Sequence, residues 1–143
     1  MTLWNSRSHL LVALLGLWAC FNALAASAPC PDPADMNALQ LQGQWMVQVT
    51  GQPRMWLLAL EPHPEHKGSL RGQLQTGAQR HAVVADLDDG EFTMEETHDG
   101  QHIAATWLGS LQAGSCGQTL RGERQADPAN PAAFVMRRNA SAR

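Results

Sequence analysis

Period-two alternation is the feature that most constrains the fold of this chain. From Gln44 onward, apolar and polar residues alternate in short runs such as "QWMVQV" and "SLRGQLQT", and they do not recur at the 3.6-residue spacing of a helix. Because successive side chains of a strand point to opposite faces, an alternating run predicts a strand with one buried face. The run "MWLLAL" (55–60) is apolar on both faces, which predicts a strand with something packed on each side. The runs cover residues 44–50, 55–60, 69–76, 80–87, 91–97, 101–111, 118–125 and 133–138.

Turn-forming residues between these runs predict how the strands connect. Two Asp-Gly pairs, at residues 89–90 and 99–100, are typical of β-hairpins, because Gly readily supplies the positive φ of a tight turn. Eight antiparallel strands joined in sequence must bury their apolar faces, and closing into a barrel does so while removing exposed sheet edges. We therefore predict an all-β fold, an eight-stranded antiparallel up-and-down β-barrel, with a β-sandwich as the alternative.

The first 25 residues are typical of a secretory signal peptide. A basic start precedes the apolar run "LLVALLGLWACFNALA", which is short for a bilayer crossing, and "ALA" at residues 23–25 matches a small-residue cleavage pattern. An alternative interpretation takes "LWAC" as a bacterial lipoprotein cleavage box that leaves Cys20 as the lipidated first residue. We expect an exported protein, periplasmic or secreted, which contacts a membrane only if it is lipidated at Cys20.

Removal of residues 1–25 leaves a chain of single-domain size. We predict an N-terminal arm over residues 26–42, in which Asp32 and Pro33 are suited to start a short helical turn, a barrel domain over 43–138 and a disordered tail over 139–143. The remaining chain has nine basic residues against 13 acidic ones, a net charge of −4. Such a surface has no electrostatic reason to bind nucleic acid or an anionic membrane.

Cysteine usage agrees with export. Cys20 lies in the predicted signal, so Cys30 and Cys116 remain as an even pair. In an oxidising compartment such a pair is expected to form a disulfide, which would tie the arm to a late loop. Two free thiols are the alternative.

The two ends of the predicted barrel carry a recognisable pattern. Gly43 and Trp45 open the first strand as Gly-x-Trp, and Arg137 or Arg138 ends the last one. This pattern resembles the calycin superfamily, which contains lipocalins, avidins and a group of bacterial metalloprotease inhibitors. The resemblance implies that Trp45 plugs the barrel floor and that one of the two arginines stacks over its indole. A guanidinium can lie flat on an indole while its donors serve carbonyls at the barrel end.

Two of these branches add further similarity. "GSLRGQL" (68–74) is similar to a third-strand glycine pattern of avidins, and "IAATWLGSL" (103–111) is similar to an avidin strand that carries a ligand-contacting Trp. The inhibitor group resembles this chain in its size, its export, its opening Gly-x-Trp and its single disulfide.

Trp56 and Trp107 are the side chains best suited to contact a ligand inside such a barrel, because aromatic faces stack on apolar or aromatic molecules. The alternative is that both fill the core of a chain that has few other aromatic residues, with only three Phe and no Tyr in the whole sequence. We expect the open end of the barrel to be lined by Trp56, Leu58, Leu74, Phe92, Met94, Ile103 and Trp107.

Two histidine pairs are the candidate metal ligands. His63 and His66 lie in "HPEH", and His98 and His102 lie in "HDGQH". Imidazole ligands on a β scaffold would suit zinc or copper. Their spacing matches no established zinc motif, so we predict neither a metal site nor a cofactor.

Catalytic motifs are absent from the sequence. It contains no Gly-x-Ser-x-Gly and no Walker loop, and its acidic runs lie beside turns, where Asp serves turn geometry. We therefore predict that the protein is not an enzyme.

Three functions fit these observations. The first is an exported binding protein that holds a small apolar molecule at the open end of the barrel. The second is an inhibitor of a periplasmic or secreted protease, or another protein-interaction module, that acts through the N-terminal arm and the barrel rim. The third is an envelope structural protein or a lipoprotein anchored at Cys20. A cavity of a few hundred Å³ would favour the first, and a filled interior with an ordered arm the second.

Overall fold

A computed structural model describes residues 28–140 of the chain. It confirms the predicted fold: eight antiparallel strands form one closed barrel, in which each strand pairs with the next and the last pairs with the first. The β-sandwich alternative is wrong. Two short 3₁₀ helices, Pro33–Asp35 and Ala38–Leu41, precede the barrel. The strands are β1 (Gly43–Val49), β2 (Trp56–Pro62), β3 (Leu70–Thr76), β4 (Gln79–Asp88), β5 (Glu91–Thr97), β6 (Ile103–Leu111), β7 (Thr119–Gln125) and β8 (Ala132–Arg138).

The alternation in the sequence corresponds to the two faces of the barrel wall. Along β4, for example, His81, Val83, Ala85 and Leu87 are buried and the residues between them are exposed. The same period runs along β5, where the second, fourth and sixth residues are buried. The inward side chains of the strands join with those of the arm in one hydrophobic core cluster.

The two Asp-Gly pairs form different turns. Asp89 and Gly90 have φ values of 50° and 79° and connect β4 to β5 directly, as a primed two-residue turn requires. The pair at residues 99–100 lies in a longer loop between β5 and β6. There the Asp99 carboxylate accepts hydrogen bonds from the backbone N–H groups of Gln101 and His102, at 2.9 and 2.8 Å. This side-chain cap favours the wider loop over a tight hairpin turn.

Glycines inside the strands allow the sheet to coil tightly enough to close. A Cβ atom at Gly72 would lie 1.9 Å from the carbonyl oxygen of Ala59, and one at Gly122 would lie 2.0 Å from that of Leu108. Gly109 and Gly122 face each other across β6 and β7. No side chain fits at these positions without movement of the backbone, which is typical of the corners of a small barrel.

The closed end of the barrel, where β1 begins and β8 ends, is built around Trp45. Its ring is fully buried, and its Nε1–H donates a hydrogen bond of 2.8 Å to the carbonyl of Leu41. Arg138 lies next to Trp45 in the β1–β8 register, with its guanidinium carbon 4.6 Å from the centre of the indole ring. Of the two candidate arginines, Arg138 therefore covers the indole, and Arg137 is exposed.

Arg138 also fastens the arm to the barrel. Its Nη1 donates to the carbonyl of Gln42 and its Nη2 to the carbonyl of Gln40, each at 2.7 Å. Gly43 leaves room for this arrangement, because it has φ of 120° and a Cβ atom there would lie 3.1 Å from Nη1 of Arg138. The two hydrogen bonds and the ring contact hold the end of the arm against the barrel floor.

We predict that Arg138→Lys lowers the free energy of unfolding by about 1–2 kcal/mol. A lysine keeps the charge but loses the flat contact on Trp45. It also lacks the planar pair of nitrogens with which the guanidinium donates to two carbonyls at once. The matched control is Arg137→Lys, the neighbouring exposed position, which we expect to change stability by less than about 0.5 kcal/mol. Urea denaturation measures both. Equal effects of the two changes would show that Arg138 does not hold the arm against the barrel.

The N-terminal arm covers the closed end and is tied down there. Cys30 and Cys116 form a disulfide, as predicted. Met36 packs on the loop between β6 and β7 that contains Cys116. A Cβ atom at Gly117 in this loop would lie only 2.5 Å from the methyl carbon of Met36. The Asp32 carboxylate caps the first 3₁₀ helix, because it accepts a hydrogen bond of 3.0 Å from the backbone N–H of Ala34. The bridge is consistent with an oxidising, exported location.

Several predictions concern the ends of the chain. The predicted signal peptide (1–25) and Cys20 lie outside the described residues, as do residues 141–143 of the predicted tail. At the start of that tail, the N–H of Asn139 donates a hydrogen bond of 2.8 Å to the carbonyl of Gln44. Between residues 28 and 140, no helix is long and apolar enough to span a membrane.

Candidate functional site

The distal end of the barrel, where β1 ends and β2 begins, holds a buried ion pair. Glu96 is 1% exposed, because it continues the inward-facing positions of β5 after Phe92 and Met94. Arg124 on β7 donates from Nε to Oε2 of Glu96 at 3.0 Å and from Nη2 to Oε1 at 3.1 Å. The guanidinium thus contacts both carboxylate oxygens, the geometry in which an Arg–carboxylate pair is strongest.

Two tryptophans enclose this pair. The guanidinium carbon of Arg124 lies 5.4 Å from the ring centre of Trp56 and 5.4 Å from that of Trp107. The two rings contact each other edge to face at 6.1 Å. Trp107 also donates from Nε1 to Oε2 of Glu96 at 3.1 Å. The charge of Arg124 is therefore stabilised by the carboxylate and by two aromatic faces, and these side chains close the distal end of the interior.

Two histidines extend the cluster toward solvent. Nε2 of His98 lies 3.1 Å from Oε1 of Glu96. The ring of His81 lies 4.1 Å from that of His98, and its Nε2 lies 3.1 Å from the hydroxyl of Thr76. The other ring nitrogen of His81, Nδ1, is buried and has no hydrogen-bond partner among residues 28–140. We call His81, Glu96, His98 and Arg124 the distal cluster.

The charge state of His81 follows from its surroundings. Burial lowers the pKa of His81 below its ordinary value, and the neighbouring His98 lowers it further. Glu96 raises this pKa and Arg124 lowers it, both with smaller effect. The net direction favours a neutral imidazole in which one nitrogen keeps a lone pair.

The residues predicted to line an open cavity pack against one another in the core. Five of them are at most 1% exposed, and Trp56 is 9% exposed. The five are Leu58, Leu74, Phe92, Met94 and Trp107. They belong to one core cluster with the inward residues of the neighbouring strands, so this part of the interior is filled by side chains.

Ile103 is the exception, and its predicted place in the lining is wrong. Its side chain is 55% exposed at the barrel rim, outside the core cluster. The cause is a shift in register between β5 and β6: Glu96 pairs with Ala105 and Thr97 pairs with Ile103, so β6 has one extra residue there.

Surface hollows lie on the outer wall of the barrel. One of about 650 Å³ crosses β1 to β4, and a second of about 240 Å³ adjoins it. Neither is lined by Trp56, Phe92, Met94 or Trp107. Four of the residues that line the larger hollow are small, and the others are Leu60 and polar or charged side chains. Its lining residues are Gly43, Gln44, Ala59, Leu60, Glu61, Arg71, Gly72, Gln73 and Ala82.

Of the four candidate histidine ligands, only His98 belongs to the distal cluster. His63 and His66 lie in the loop between β2 and β3, at the closed end, with ring centres 4.4 Å apart. Nδ1 of His63 accepts hydrogen bonds from the backbone N–H groups of Glu65 and His66, so its role there is to cap a turn.

His102, the predicted partner of His98, contacts Asp99 instead. Its Nδ1 lies 2.6 Å from a carboxylate oxygen of Asp99. Hydrogen bonds from the backbone and then the side chain of His102 lower the pKa of Asp99 to about 2. The hairpin therefore does not bring the two histidines together at one site.

Sequence reasoning missed three members of the distal cluster: His81, Glu96 and Arg124. A usable signal exists, because each occupies an inward-facing position of an alternating run. Glu96 follows Phe92 and Met94 at steps of two, and Arg124 follows Leu120 and Gly122. A charged residue on the buried face of a strand must find a partner, so these two positions predict a buried pair.

The fold and the distal cluster together define a small closed eight-stranded β-barrel, consistent with a calycin-like fold, with a filled core and a polar cluster at one end. A comparison with known protein-family models finds no match, and no curated protein is significantly similar to this chain.

Proposed function

We propose that this protein acts by binding another protein, and that this partner is a secreted or periplasmic protease, which it inhibits. The observation that carries the proposal is the filled interior. The side chains that would line a ligand cavity are buried against one another, and the Glu96–Arg124 pair closes the distal end. A small molecule of ordinary size needs a cavity of roughly 300 Å³ or more, so recognition is assigned to the outside of the barrel.

The beginning of the described arm is suited to contact a partner. Ala28 and Pro29 are exposed, and Cys30 is tied to the barrel by its disulfide. Pro29 and Pro31 fix the φ angle on either side of the bridge. A segment that is held in this way loses little conformational entropy on binding, which favours affinity for a cleft that accepts a peptide segment.

The resemblance to the calycin superfamily supports the same proposal. The barrel, the Trp45 floor and the covering Arg138 agree with what the resemblance implies about the fold. We propose membership in that superfamily and, within it, kinship with the bacterial metalloprotease inhibitors, which resemble this chain in size and in having a single disulfide.

The outer-wall hollow is the second surface to which a partner could bind. The exposed ion pair between Glu61 and Arg71, at 2.8 Å, forms part of its lining. Because charged side chains are depleted at the core of tight interfaces, this hollow is less favourable for a partner than the segment at the start of the arm. The hollow therefore serves as the control surface in the experiment below.

The test is an inhibition assay with the secreted form of the protein against metallo-, serine and cysteine proteases secreted by the organism that produces it. We expect inhibition of one class at near-equimolar concentration. Pro29→Glu should weaken that inhibition at least about tenfold, because it places a charge in the contact segment and frees its φ angle. Ala82→Glu adds the same charge to the outer-wall hollow and should leave inhibition unchanged.

Two outcomes would contradict the proposal in different ways. If no protease is inhibited, the inhibitor role is wrong. If Ala82→Glu weakens inhibition and Pro29→Glu does not, the partner binds the outer-wall hollow and the role of the arm is wrong. The competing hypothesis is that a small apolar ligand binds at the distal end. In that case neither Pro29→Glu nor Ala82→Glu would change the affinity for the small ligand.

A further inference from the structure

We propose that His81, Glu96 and His98 form a binding site for a first-row divalent cation, with zinc as the reference ion. One nitrogen of each imidazole and one oxygen of the carboxylate all lie within 4.8 Å of one another. Two imidazoles and one carboxylate are a donor set that borderline metals such as zinc and copper prefer. This inference concerns a different part of the molecule from the arm and does not depend on the proposed protease inhibition.

One ring nitrogen of His81 favours metal binding. The residue is 7% exposed, and its Nδ1 is buried without a hydrogen-bond partner among the described residues. A buried polar atom without a partner is unfavourable, because it has lost its hydrogen bond to water and gained none in return. Thr76 occupies the other nitrogen at 3.1 Å, and when that nitrogen carries the proton, Nδ1 keeps its lone pair. A metal ion would satisfy this lone pair, and Thr76 would orient the ring.

The orientation of Glu96 also favours metal binding. Trp107 donates to Oε2 at 3.1 Å and Arg124 donates to the same oxygen at 3.0 Å. Oε1 accepts a hydrogen bond from Nη2 of Arg124 at 3.1 Å and lies 3.1 Å from Nε2 of His98. These hydrogen bonds hold the carboxylate in position, and a metal ion would reach it from the side of Oε1 that faces His98.

Binding requires a small contraction of the cluster. Ligand atoms in a tetrahedral zinc site are about 3.4 Å apart, given bonds of about 2.1 Å. The side chain of His98 is 56% exposed and can rotate toward the other two without disturbing the core. Three protein ligands leave a fourth coordination position for water, as in zinc sites that bind an additional ligand. The charge of Arg124 opposes the cation, so we expect weaker affinity than at a structural zinc site.

Other histidines do not offer an equivalent site. Within residues 28–140, this is the only group of three or more metal-ligating side chains whose donor atoms come this close. His63 and His66 form an exposed pair, but Nδ1 of His63 is occupied by two backbone N–H groups. That pair is therefore a matched control for non-specific binding to surface histidines.

The experiment is isothermal titration of the metal-free, disulfide-intact protein with Zn²⁺, and with Mg²⁺ as a hard-cation control. We expect one Zn²⁺ per chain and no Mg²⁺ binding. His98→Asn should weaken Zn²⁺ binding at least about tenfold, whereas the double variant His63→Asn/His66→Asn should bind as the unaltered protein does. His98 is largely exposed, so its replacement should not prevent folding.

A second measurement locates the ion. Because the indole N–H of Trp107 is bonded to Glu96, its proton NMR resonance should shift when Zn²⁺ binds to that carboxylate. The proposal is overturned if no Zn²⁺ binds below millimolar concentration or if His98→Asn binds Zn²⁺ with the affinity of the unaltered protein. It is also overturned if Zn²⁺ binding does not change the chemical shift of the Trp107 indole proton. Loss of binding in the His63/His66 variant would place the ion at the closed end and would equally overturn it.

Discussion

Replacing Arg124 with methionine is expected to lower the free energy of unfolding by about 3–5 kcal/mol. Methionine fills the space between Trp56 and Trp107 with a flexible apolar chain, so packing is largely kept. It leaves Glu96, which is 1% exposed, without the cation that contacts both of its oxygens. A buried carboxylate without its partner is one of the few single changes with an effect of this size.

Urea denaturation of the disulfide-intact protein measures the effect, with Arg121→Met as the matched control. Arg121 lies on the same strand but on its exposed face, so its replacement should change stability by less than about 0.5 kcal/mol. In the double variant Glu96→Gln/Arg124→Met, the charge is removed together with its partner, and we expect recovery of more than half of the loss. If Arg124→Met stays within about 0.5 kcal/mol of the unaltered protein, the ion pair does not hold the distal end together.

The second large effect is expected from the disulfide. Replacing Cys30 and Cys116 together with alanine should destabilise the protein by about 4–5 kcal/mol, because the bridge closes a long loop and restricts the unfolded chain. The two cysteines are separated by 86 residues in the sequence, which places the loop near the upper end of this range. The strands make their own hydrogen bonds, so we expect the far-UV circular dichroism of the folded variant to be unchanged.

Two measurements check this prediction. Intact mass before and after reduction should differ by two hydrogen atoms if the bridge is formed. The unaltered protein under reducing conditions should unfold at the same urea concentration as the double variant. A loss of less than about 1 kcal/mol would mean that the arm and the Cys116 loop stay associated in the unfolded state or that the bridge strains the native one.

The fold was predictable because its signals are local. Alternation over five to ten residues predicts where a strand lies. Asp89 and Gly90 predict a turn from two adjacent residues, since Gly adopts positive φ without penalty. Gly43 and Trp45 lie two residues apart on one strand, and at this end of the barrel it was the choice between Arg137 and Arg138 that needed the structure. Strand pairing decides it, because Arg138 pairs with Trp45 in the β1–β8 register.

The distal cluster was harder to predict because its contacts are not local. Glu96 and Arg124 are 28 residues apart and meet only when β5 and β7 close around the core. His81 reaches the cluster from β4, where it looks like one more polar residue beside a turn. Ile103 was misplaced because one extra residue in β6 shifts its pairing with β5, and alternation alone does not reveal such a bulge.

The barrel is filled by its own side chains, and we propose that the protein acts through its surface. The decisive experiment is native mass spectrometry of the protein purified from the organism that produces it. The predicted result is the mass of the disulfide-bonded chain, with or without one divalent metal ion, and no organic molecule. A stoichiometric organic ligand that is released on denaturation would contradict the claim and would favour a ligand-binding barrel.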